Sequence, residues 1–217
     1  MTDPRVISVN VGTQQQIALL DRPDTTVLTS IFKSPVAGRV AVRRHNIVGD
    51  RQSDLKAHGG PNKAVYGYPS EHYRFWTKEL PDRELPWGVF GENLTTEGLS
   101  EETIRIGDRF RIGSAVLQVT QPRMPCFKLG IRFDRPDMIK RFWSAGRPGM
   151  YLSIIQEGDV EAGDPVEKVA LGPEELTVFD VVRLYRGDEK SVVLFDRAMR
   201  APLSGSWKQG IRERLIA

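Results

Sequence analysis

A single cysteine, Cys126, stands in the stretch TQPRMPCFKLG, and its sulfur could pack in a core, act as a nucleophile or bind a metal. A lone cysteine is most often a small buried apolar residue, so core packing is the default interpretation. Arg123 and Lys128 stand on either side of it in the sequence. If they also lie close in space, they favour the thiolate, which a nucleophile or a metal ligand requires.

Two other uses of a cysteine find little support in the sequence. With one cysteine and three scattered histidines, the chain lacks the CxxC and HExxH spacings of zinc sites. A cysteine–histidine pair with His58 or His72 as the base is conceivable, but no local motif supports it.

A second reactive segment, GDRQSDLKAHGGPNKAVYGYPSEHY, has the highest density of polar side chains in the sequence. It gathers Lys56, His58 and Lys63 around a Gly-Gly-Pro-Asn turn. Paired glycines let a backbone approach a ligand closely, and basic side chains beside such a turn suit a phosphate or another anion. The alternative is a tight loop between two strands. The three basic side chains favour a binding site.

Positive charge is concentrated in these two regions. Residues 39–63 contain six basic and two acidic side chains, a net +4, and residues 121–147 contain seven basic and two acidic, a net +5. The whole chain carries only +3, so the remainder sums to −6. Such focusing is typical of a protein with an anionic ligand, although two solvated surface faces would give the same count.

The composition is that of a globular protein, with 40% hydrophobic and 27% charged residues. No apolar run approaches the roughly 20 residues that a membrane helix needs, and the N-terminus lacks a signal-peptide pattern. One cysteine cannot form an internal disulfide, which fits a reducing compartment. We therefore expect a cytoplasmic protein that does not cross a membrane.

The first 168 residues predict a mainly β body resembling a β-barrel. Strand patterns occur at VISVNVG, GRVAVR, NIVGD, AVYGYP, TIRIGDRFRIG, AVLQVTQP and MYLSIIQEGD, most of them bounded by Gly, Pro or Asp. Two helices interrupt them. One lies in PSEHYRFWTKELP, with Ser70 as the N-cap and Pro81 as the stop, and one runs from about Pro136 to Gly146.

Residues 173–217 predict a small three-helix appendage. The helical patterns are LTVFDVVRLY, SVVLFDRAM and SGSWKQGIRERL, with Thr177 and Ser191 as N-caps and Gly187 as a terminator. Three helices suggest helix-turn-helix DNA binding, but residues 170–217 carry eight basic and seven acidic side chains. Because phosphate contacts supply much of DNA affinity, nucleic-acid binding is disfavoured. Docking onto the body or onto a second subunit in a homodimer is favoured.

Three blocks together resemble the MOSC family, named after the C-terminal domain of molybdenum cofactor sulfurase. They are VGDRQSDLKAHGGPNKAVYGYPSEHY, GVFGENLTTEGL and IRIGDRFRIGSAVLQVTQPRMPCFKL, in the family's order and spacing. The tail LTVFDVVRLYRGDEK resembles the three-helix extension of the YiiM-type branch. The resemblance implies a β-barrel MOSC fold and a molybdopterin cofactor (the molybdenum cofactor), whose metal is coordinated by the cysteine that matches Cys126.

The resemblance also suggests roles for individual residues. Lys56, Lys63 and Arg123 are predicted to hold the phosphate or the pterin of the cofactor, which is anionic. Asn93, in GENL, matches an asparagine near the metal in related amidoxime-reducing proteins, and its amide can both donate and accept hydrogen bonds.

Two further residues keep alternative roles. His58 is predicted to bind the cofactor or supply a proton, with orientation of its loop as the alternative. Glu92 is a weaker site candidate, and it could equally be a turn or pairing residue.

The implied activity is the reduction of N-hydroxylated compounds, such as hydroxylaminopurine base analogues, as a detoxification reaction. This is a two-electron cleavage of an N–O bond with loss of water. The chain has no GxGxxG at a strand–helix junction and no ferredoxin-like cysteine set, so electrons are expected from a separate reductase or a small donor. The alternative is a non-enzymatic protein that stores or transfers the cofactor or its sulfur.

Overall fold

The computed structural model describes residues 3–22, 24–53 and 60–216, without the side chains of residues 215 and 216. It contains thirteen strands in this part of the chain: β1 Arg5–Val11, β2 Gln15–Ala18, β3 Thr26–Thr29, β4 Ser34–Pro35, β5 Val40–Arg43, β6 Asn46–Ile47, β7 Val65–Pro69, β8 Leu94–Glu97, β9 Arg109–Ile112, β10 Ala115–Pro122, β11 Met150–Gln156, β12 Gly158–Val160 and β13 Val166–Ala170.

Six α-helices accompany the strands in the described residues: α1 Glu71–Glu79, α2 Phe127–Phe133, α3 Met138–Ser144, α4 Val178–Arg186, α5 Val192–Arg200 and α6 Gly205–Ile216. A short 3-10 turn covers Pro61–Lys63. The described helices include none that is long and apolar enough to cross a membrane.

Eight strands form the main sheet, in the order β13-β9-β10-β11-β7-β8-β1-β4. Neighbouring strands are antiparallel except for the parallel pair β7–β8. Two small sheets, β12-β5-β6 and the hairpin β2-β3, complete the β structure of the described chain. The prediction of a sheet-rich fold with a few helices is therefore confirmed.

The predicted closed barrel is not confirmed. β1 reaches the segment before β13 through an isolated bridge between Arg5 and Pro165, flanked by hydrogen bonds such as Val6 N to Asp164 O at 2.9 Å. Pro165 has no backbone N–H to donate, which limits a regular ladder at this point. The segment before the edge strand β13 therefore approaches β1, next to the other edge of the sheet, without forming a full strand pair.

The last three helices fall within residues 173–217, and their starts show why the sequence folds this way. The Thr177 side chain accepts a hydrogen bond from Asp180 N while the Asp180 side chain accepts one from Thr177 N, a reciprocal capping box. The Ser191 hydroxyl accepts a hydrogen bond from Leu194 N at the start of α5. Ser70 occupies the predicted N-cap position of α1, but its side chain makes no capping hydrogen bond there.

The buried residues form two clusters. One joins the main sheet to α4–α6 and includes Leu117, Leu152, Val181 and Trp207, so the helical unit shares a core with the sheet. The other is aromatic and packs α1, α2 and α3 against the sheet, with Tyr68, Trp76, Phe90 and Phe142 at its centre. Dense aromatic packing of this kind holds the three helices rigidly against the sheet.

Candidate functional site

The residues predicted to hold a ligand are brought together around β7. Asn62 O, in the turn before β7, accepts a hydrogen bond from Thr120 Oγ1 of β10 at 2.6 Å. The Asn93 side chain, just before β8, accepts one from Tyr66 N of β7 at 3.1 Å. These contacts fix the turn, the GENL segment and the end of β10 against one another, although they are far apart in sequence.

Side chains from the turn before β7, from GENL and from the segment after β10 line one pocket, which we call the basic pocket. Its empty volume is about 590 Å³, including the space open to solvent. Four of the predicted site residues line it: Lys63, Asn93, Arg123 and Cys126. Two others, Lys56 and His58, lie outside the described residues, and the functional roles of all six stay predictions.

Cys126 lies at the start of α2 and is only half-buried. Its backbone is extended, with φ −128° and ψ 169°, and its carbonyl accepts a hydrogen bond from Leu129 N at 2.9 Å. The residue lines the basic pocket and also a second cavity behind it. A thiol in this position is not a member of either buried apolar cluster, which removes the main support for the core-packing interpretation.

Arg123 is almost completely buried, with 5% of its surface exposed. Its Nη1 donates to Phe90 O, and its guanidinium carbon lies 4.5 Å from the centre of the Tyr66 ring. Burial raises the pKa of Tyr66, even though the charge of Arg123 works in the opposite direction. Tyr66 therefore stays neutral, and the arginine keeps its positive charge beside the pocket.

A second buried cation, Lys33, was not predicted from the sequence. Its Nζ lies 2.6 Å from Asp50 Oδ2, and the Lys33 and Asp50 side chains are 9% and 2% exposed. Burial lowers the pKa of Lys33, and the neighbouring Asp50 carboxylate opposes that change. Lys33 lies in a segment without a recognisable motif, IFKSPV, and only the fold brings it to the basic pocket.

Lys128 is the third nearly buried cation, with 7% of its surface exposed. The sequence suggested it as a neighbour of the thiol, and it does line the basic pocket together with Cys126. No ion pair or hydrogen bond joins its ammonium group to any residue in the described part of the chain. The pocket thus has a positive charge that is not neutralised by a described carboxylate.

The two polar residues of GENL, Glu92 and Asn93, accept hydrogen bonds from the backbone N–H groups of other residues. Asn93 Nδ2 donates to Asn10 O at 3.3 Å while its oxygen accepts from Tyr66, so both ends of the amide are engaged. Glu92 is fully buried, and its Oε1 accepts hydrogen bonds from Tyr73 Oη, Gly88 N and Thr95 Oγ1. The structure thus favours the pairing role for Glu92.

His72, the alternative base, lies elsewhere. Its Nε2 is 2.8 Å from both carboxylate oxygens of Glu101, and its Nδ1 is 3.2 Å from Nη1 of Arg147. It does not line the pocket with Cys126. A catalytic pair between these two residues is therefore excluded in this conformation.

The donor set of the basic pocket fits a molybdenum cofactor. A half-buried thiol offers the soft ligand that such a metal accepts, and two nearly buried cations, Arg123 and Lys128, offer donors to a phosphate. No group of three or more His, Cys, Asp or Glu side chains in the described residues could enclose a metal by itself. The described residues therefore suit a metal that arrives with its own organic ligand.

Comparison with known proteins shows the family to which the chain belongs. Residues 54–167 match the family model described as the MOSC domain. The chain is 40% identical to the protein YiiM of Escherichia coli over 192 residues, 87% of this chain and 85% of that protein. It is 31% identical to a reductase of Gibberella moniliformis over 87% of this chain, which corresponds to 34% of that longer protein.

A solved structure extends the likeness to the entire fold. The crystal structure of YiiM from Geobacillus stearothermophilus superposes with a TM-score of 0.79 at 33% identity, covering 98% of this chain and 99% of that one. The match therefore includes the three C-terminal helices as well as the sheet. On these grounds the chain belongs to the MOSC domain family, in its YiiM-type branch.

Proposed function

We propose that this protein is a molybdenum-cofactor-dependent reductase of N-hydroxylated compounds. The observation that carries the proposal is the position of Cys126 at a pocket lined by two nearly buried cations, Arg123 and Lys128, that no described carboxylate neutralises. The likeness to a protein named as a reductase supports the reaction class. A basic pocket alone would suit any phosphate, and the half-buried thiol adds the metal ligand.

Within the basic pocket, Cys126 would ligate the molybdenum, and Arg123, Lys63 and Lys128 would pair with the phosphate of the pterin. When bound, the cofactor supplies a metal centre that can exchange two electrons with a substrate. The protein itself holds these cations in position before the cofactor binds. The contacts of Arg123 with Phe90 and Tyr66 do this without using a carboxylate that would compete with the phosphate.

The overall reaction is R–NHOH + 2 e⁻ + 2 H⁺ → R–NH₂ + H₂O. It breaks the N–O bond, and the oxygen leaves as water. We propose that the electrons come from a separate reductase protein. His58 remains the proposed proton donor, and a reducing cytoplasm would keep the sulfur of Cys126 from being oxidised.

The second candidate is a carrier that stores or transfers the cofactor. The absence of a nucleotide-binding or iron–sulfur motif from the sequence is compatible with both functions. The two differ in turnover, because a carrier would hold molybdenum without reducing an N-hydroxylated substrate.

The test is to purify the protein from cells that make the cofactor and to measure molybdenum content and hydroxylaminopurine reduction with a competent electron donor. We expect nearly one molybdenum per chain and steady turnover in the wild type, and loss of turnover in Cys126→Ser. Leu171→Ala, at a position 64% exposed, is the control and should behave like the wild type. Bound molybdenum without turnover would favour the carrier.

A further inference from the structure

Cys126 lies where two open spaces meet. One is the basic pocket, and the other is a second cavity between the segment around the cysteine and the C-terminal helices, with an empty volume of about 940 Å³ that includes space open to solvent. Lys63, Cys126 and Tyr151 line both spaces. A metal held by the Cys126 sulfur would therefore lie close to the protein surface, where another protein can approach it.

The described residues that line the two spaces carry a net positive charge. Five of them are basic and only Asp50 is acidic, which gives a net +4. The basic residues are Lys33, Arg51, Lys63, Arg123 and Lys128. A phosphate monoester carries about two negative charges at neutral pH, so one bound phosphate leaves the opening positive. Such a field attracts an acidic partner and speeds its encounter with the surface.

Arg51 is the exposed member of this basic group, and in the described part of the chain no carboxylate pairs with it. Other surface arginines lie against carboxylates: Arg39 Nη2 is 2.7 Å from Glu161 Oε1, and Arg43 Nη2 is 2.9 Å from Asp159 Oδ1. The charge of Arg51 is therefore available to the carboxylates of another protein.

Two apolar side chains next to Cys126 are also exposed. Met124 is 36% exposed and Phe127 is 48% exposed, and neither belongs to a buried cluster of the core. A single exposed apolar residue is ordinary, but methionine, aromatic residues and arginine are the types enriched in protein interfaces. An apolar pair beside an exposed cation fits a partner whose surface has an apolar patch among carboxylates.

We propose that Arg51, Met124 and Phe127 form a docking surface around Cys126 for an acidic redox protein that delivers the electrons. The partner's carboxylates lie against Arg51, its apolar patch lies against Met124 and Phe127, and its redox centre faces the sulfur. Electron-transfer encounters bury small areas, below about 1,200 Å², so a patch of this size suits them. The inference rests on the proposed function and names the site and the charge of the protein that supplies the two electrons.

Two variants change the docking surface, and each has a matched control. Arg51→Glu reverses the exposed charge and leaves the backbone hydrogen bond from Arg51 N to Gly12 O, 3.0 Å long, in place. Arg111→Glu makes the same change at an exposed arginine of β9 that lines neither space. Met124→Ser removes an exposed apolar side chain, and Val193→Ser does so on α5, where Val193 is 60% exposed.

The first measurement is binding of oxidised plant-type ferredoxin, a small acidic [2Fe–2S] protein, to the cofactor-free protein by fluorescence polarisation. Binding to the wild type should weaken as salt is added, because the attraction is electrostatic. We expect Arg51→Glu to raise the Kd at least about tenfold and Met124→Ser about threefold. Both controls should bind ferredoxin like the wild type, and cytochrome c, a basic redox protein, should not bind.

The second measurement uses the loaded enzyme and compares two electron sources. Reduced ferredoxin gives one electron per encounter, so two molecules are oxidised for each hydroxylaminopurine reduced. Reduced benzyl viologen is a small cationic dye that gains nothing from a basic surface. Arg51→Glu and Met124→Ser should lower the ferredoxin-driven rate far more than the viologen-driven rate, and added salt should slow the ferredoxin-driven reaction alone.

Three results would overturn the proposal: equal losses with both electron sources, ferredoxin binding that does not depend on salt, or ferredoxin binding unchanged by Arg51→Glu. Tighter binding of a single-stranded oligonucleotide than of ferredoxin, weakened by the same variants, would also overturn it in favour of nucleic acid. If ferredoxin binds as expected but neither source supports reduction, the proposed function fails while the docking surface is supported. If the dye supports reduction but ferredoxin does not bind, the docking surface fails while the proposed function stands.

Discussion

Lys33 Nζ and Asp50 Oδ2 lie 2.6 Å apart in the wall of the basic pocket, and both side chains are almost completely buried. The other carboxylate oxygen of Asp50 accepts a hydrogen bond from Gly12 N at 2.8 Å. Asp50 thereby ties Lys33 to the turn after β1. The pair contributes no net charge, so the positive character of the pocket comes from residues such as Arg123 and Lys128.

The first prediction concerns this ion pair. Lys33→Met removes the ammonium group and leaves the Asp50 carboxylate buried beside an apolar side chain. We expect the free energy of unfolding to fall by about 3 kcal/mol, since an uncompensated buried charge is strongly unfavourable. The measurement is urea unfolding followed by circular dichroism.

The control for this prediction is the double variant Lys33→Met/Asp50→Asn. Asparagine keeps an oxygen for Gly12 N and carries no charge, so much of the lost stability should return. Equal stability losses in the single and double variants would show that the Lys33 side chain matters for packing and not for charge.

The second prediction concerns Glu92 and pH. Burial raises the pKa of Glu92, although hydrogen bonds from Tyr73 and Gly88 oppose the shift. The folded protein therefore holds this proton to a higher pH than the unfolded chain does. Stability that depends on Glu92 is present at low pH and is lost as the pH rises from the unfolded pKa through the folded one.

Glu92→Gln removes this titration while keeping an oxygen for the three donors. We expect the variant to gain stability relative to the wild type as the pH is raised from 4 to 8, measured as the difference in urea midpoint. Glu102→Gln, at an exposed position, should show no such trend. A constant difference between wild type and Glu92→Gln across this range would contradict the assignment.

Local patterns were sufficient for much of the fold. Alternating β-branched residues predicted strands such as β1, β5 and β10, and the caps Thr177 and Ser191 predicted two of the final helices. The hairpin of β2 and β3 was missed, because its polar, largely exposed residues show no apolar alternation. Helix α2 was not predicted either, because it begins directly after Cys126, whose side chain makes no capping hydrogen bond.

The site residues also fall into two groups, those that sequence motifs identify and those that only the fold brings to the site. Cys126, Arg123 and Asn93 stand in motifs, so the resemblance identified them before any contact was known. Lys33 reaches the pocket only through pairing of distant segments, and Trp207 reaches the second cavity only through packing of α6. The sequence around Lys33 or Trp207 does not identify either as a site residue, because each reaches its cavity through contacts with residues far away in the sequence.

The third prediction is that the C-terminal helices do not bind DNA. Several of their arginines are already paired: Arg183 with Glu189 at 2.9 Å, and Arg200 with Glu174 at 2.8 Å. Few cations are therefore left for phosphates, which supply most non-specific affinity. Fluorescence polarisation with labelled duplex DNA should show no tight binding at physiological salt. Tight binding that weakens steeply with added salt and is lost in Arg183→Ala/Arg200→Ala would refute this.

The last prediction separates the two roles considered for Cys126. If the thiol only filled the core, Cys126→Ser would bury a hydroxyl without a partner and cost about 1–3 kcal/mol. Because the residue is half-buried and belongs to neither apolar cluster, we expect a loss below about 1 kcal/mol, as for other substitutions away from a packed core. Urea unfolding of the cofactor-free proteins measures this.

Alkylation supplies a readout that does not depend on activity. Iodoacetamide should modify Cys126 in the cofactor-free protein, because the residue lines two open spaces. In protein loaded with the cofactor the sulfur would be engaged by the metal, and modification should slow by at least about tenfold, as a ligated thiolate is withdrawn from reaction. Lys128→Met, in which the thiol is kept and one cation is removed, should lose part of this protection through weaker cofactor binding. Equal alkylation rates with and without bound molybdenum would mean that the metal is held by other groups, and that Cys126 has a different role in the site.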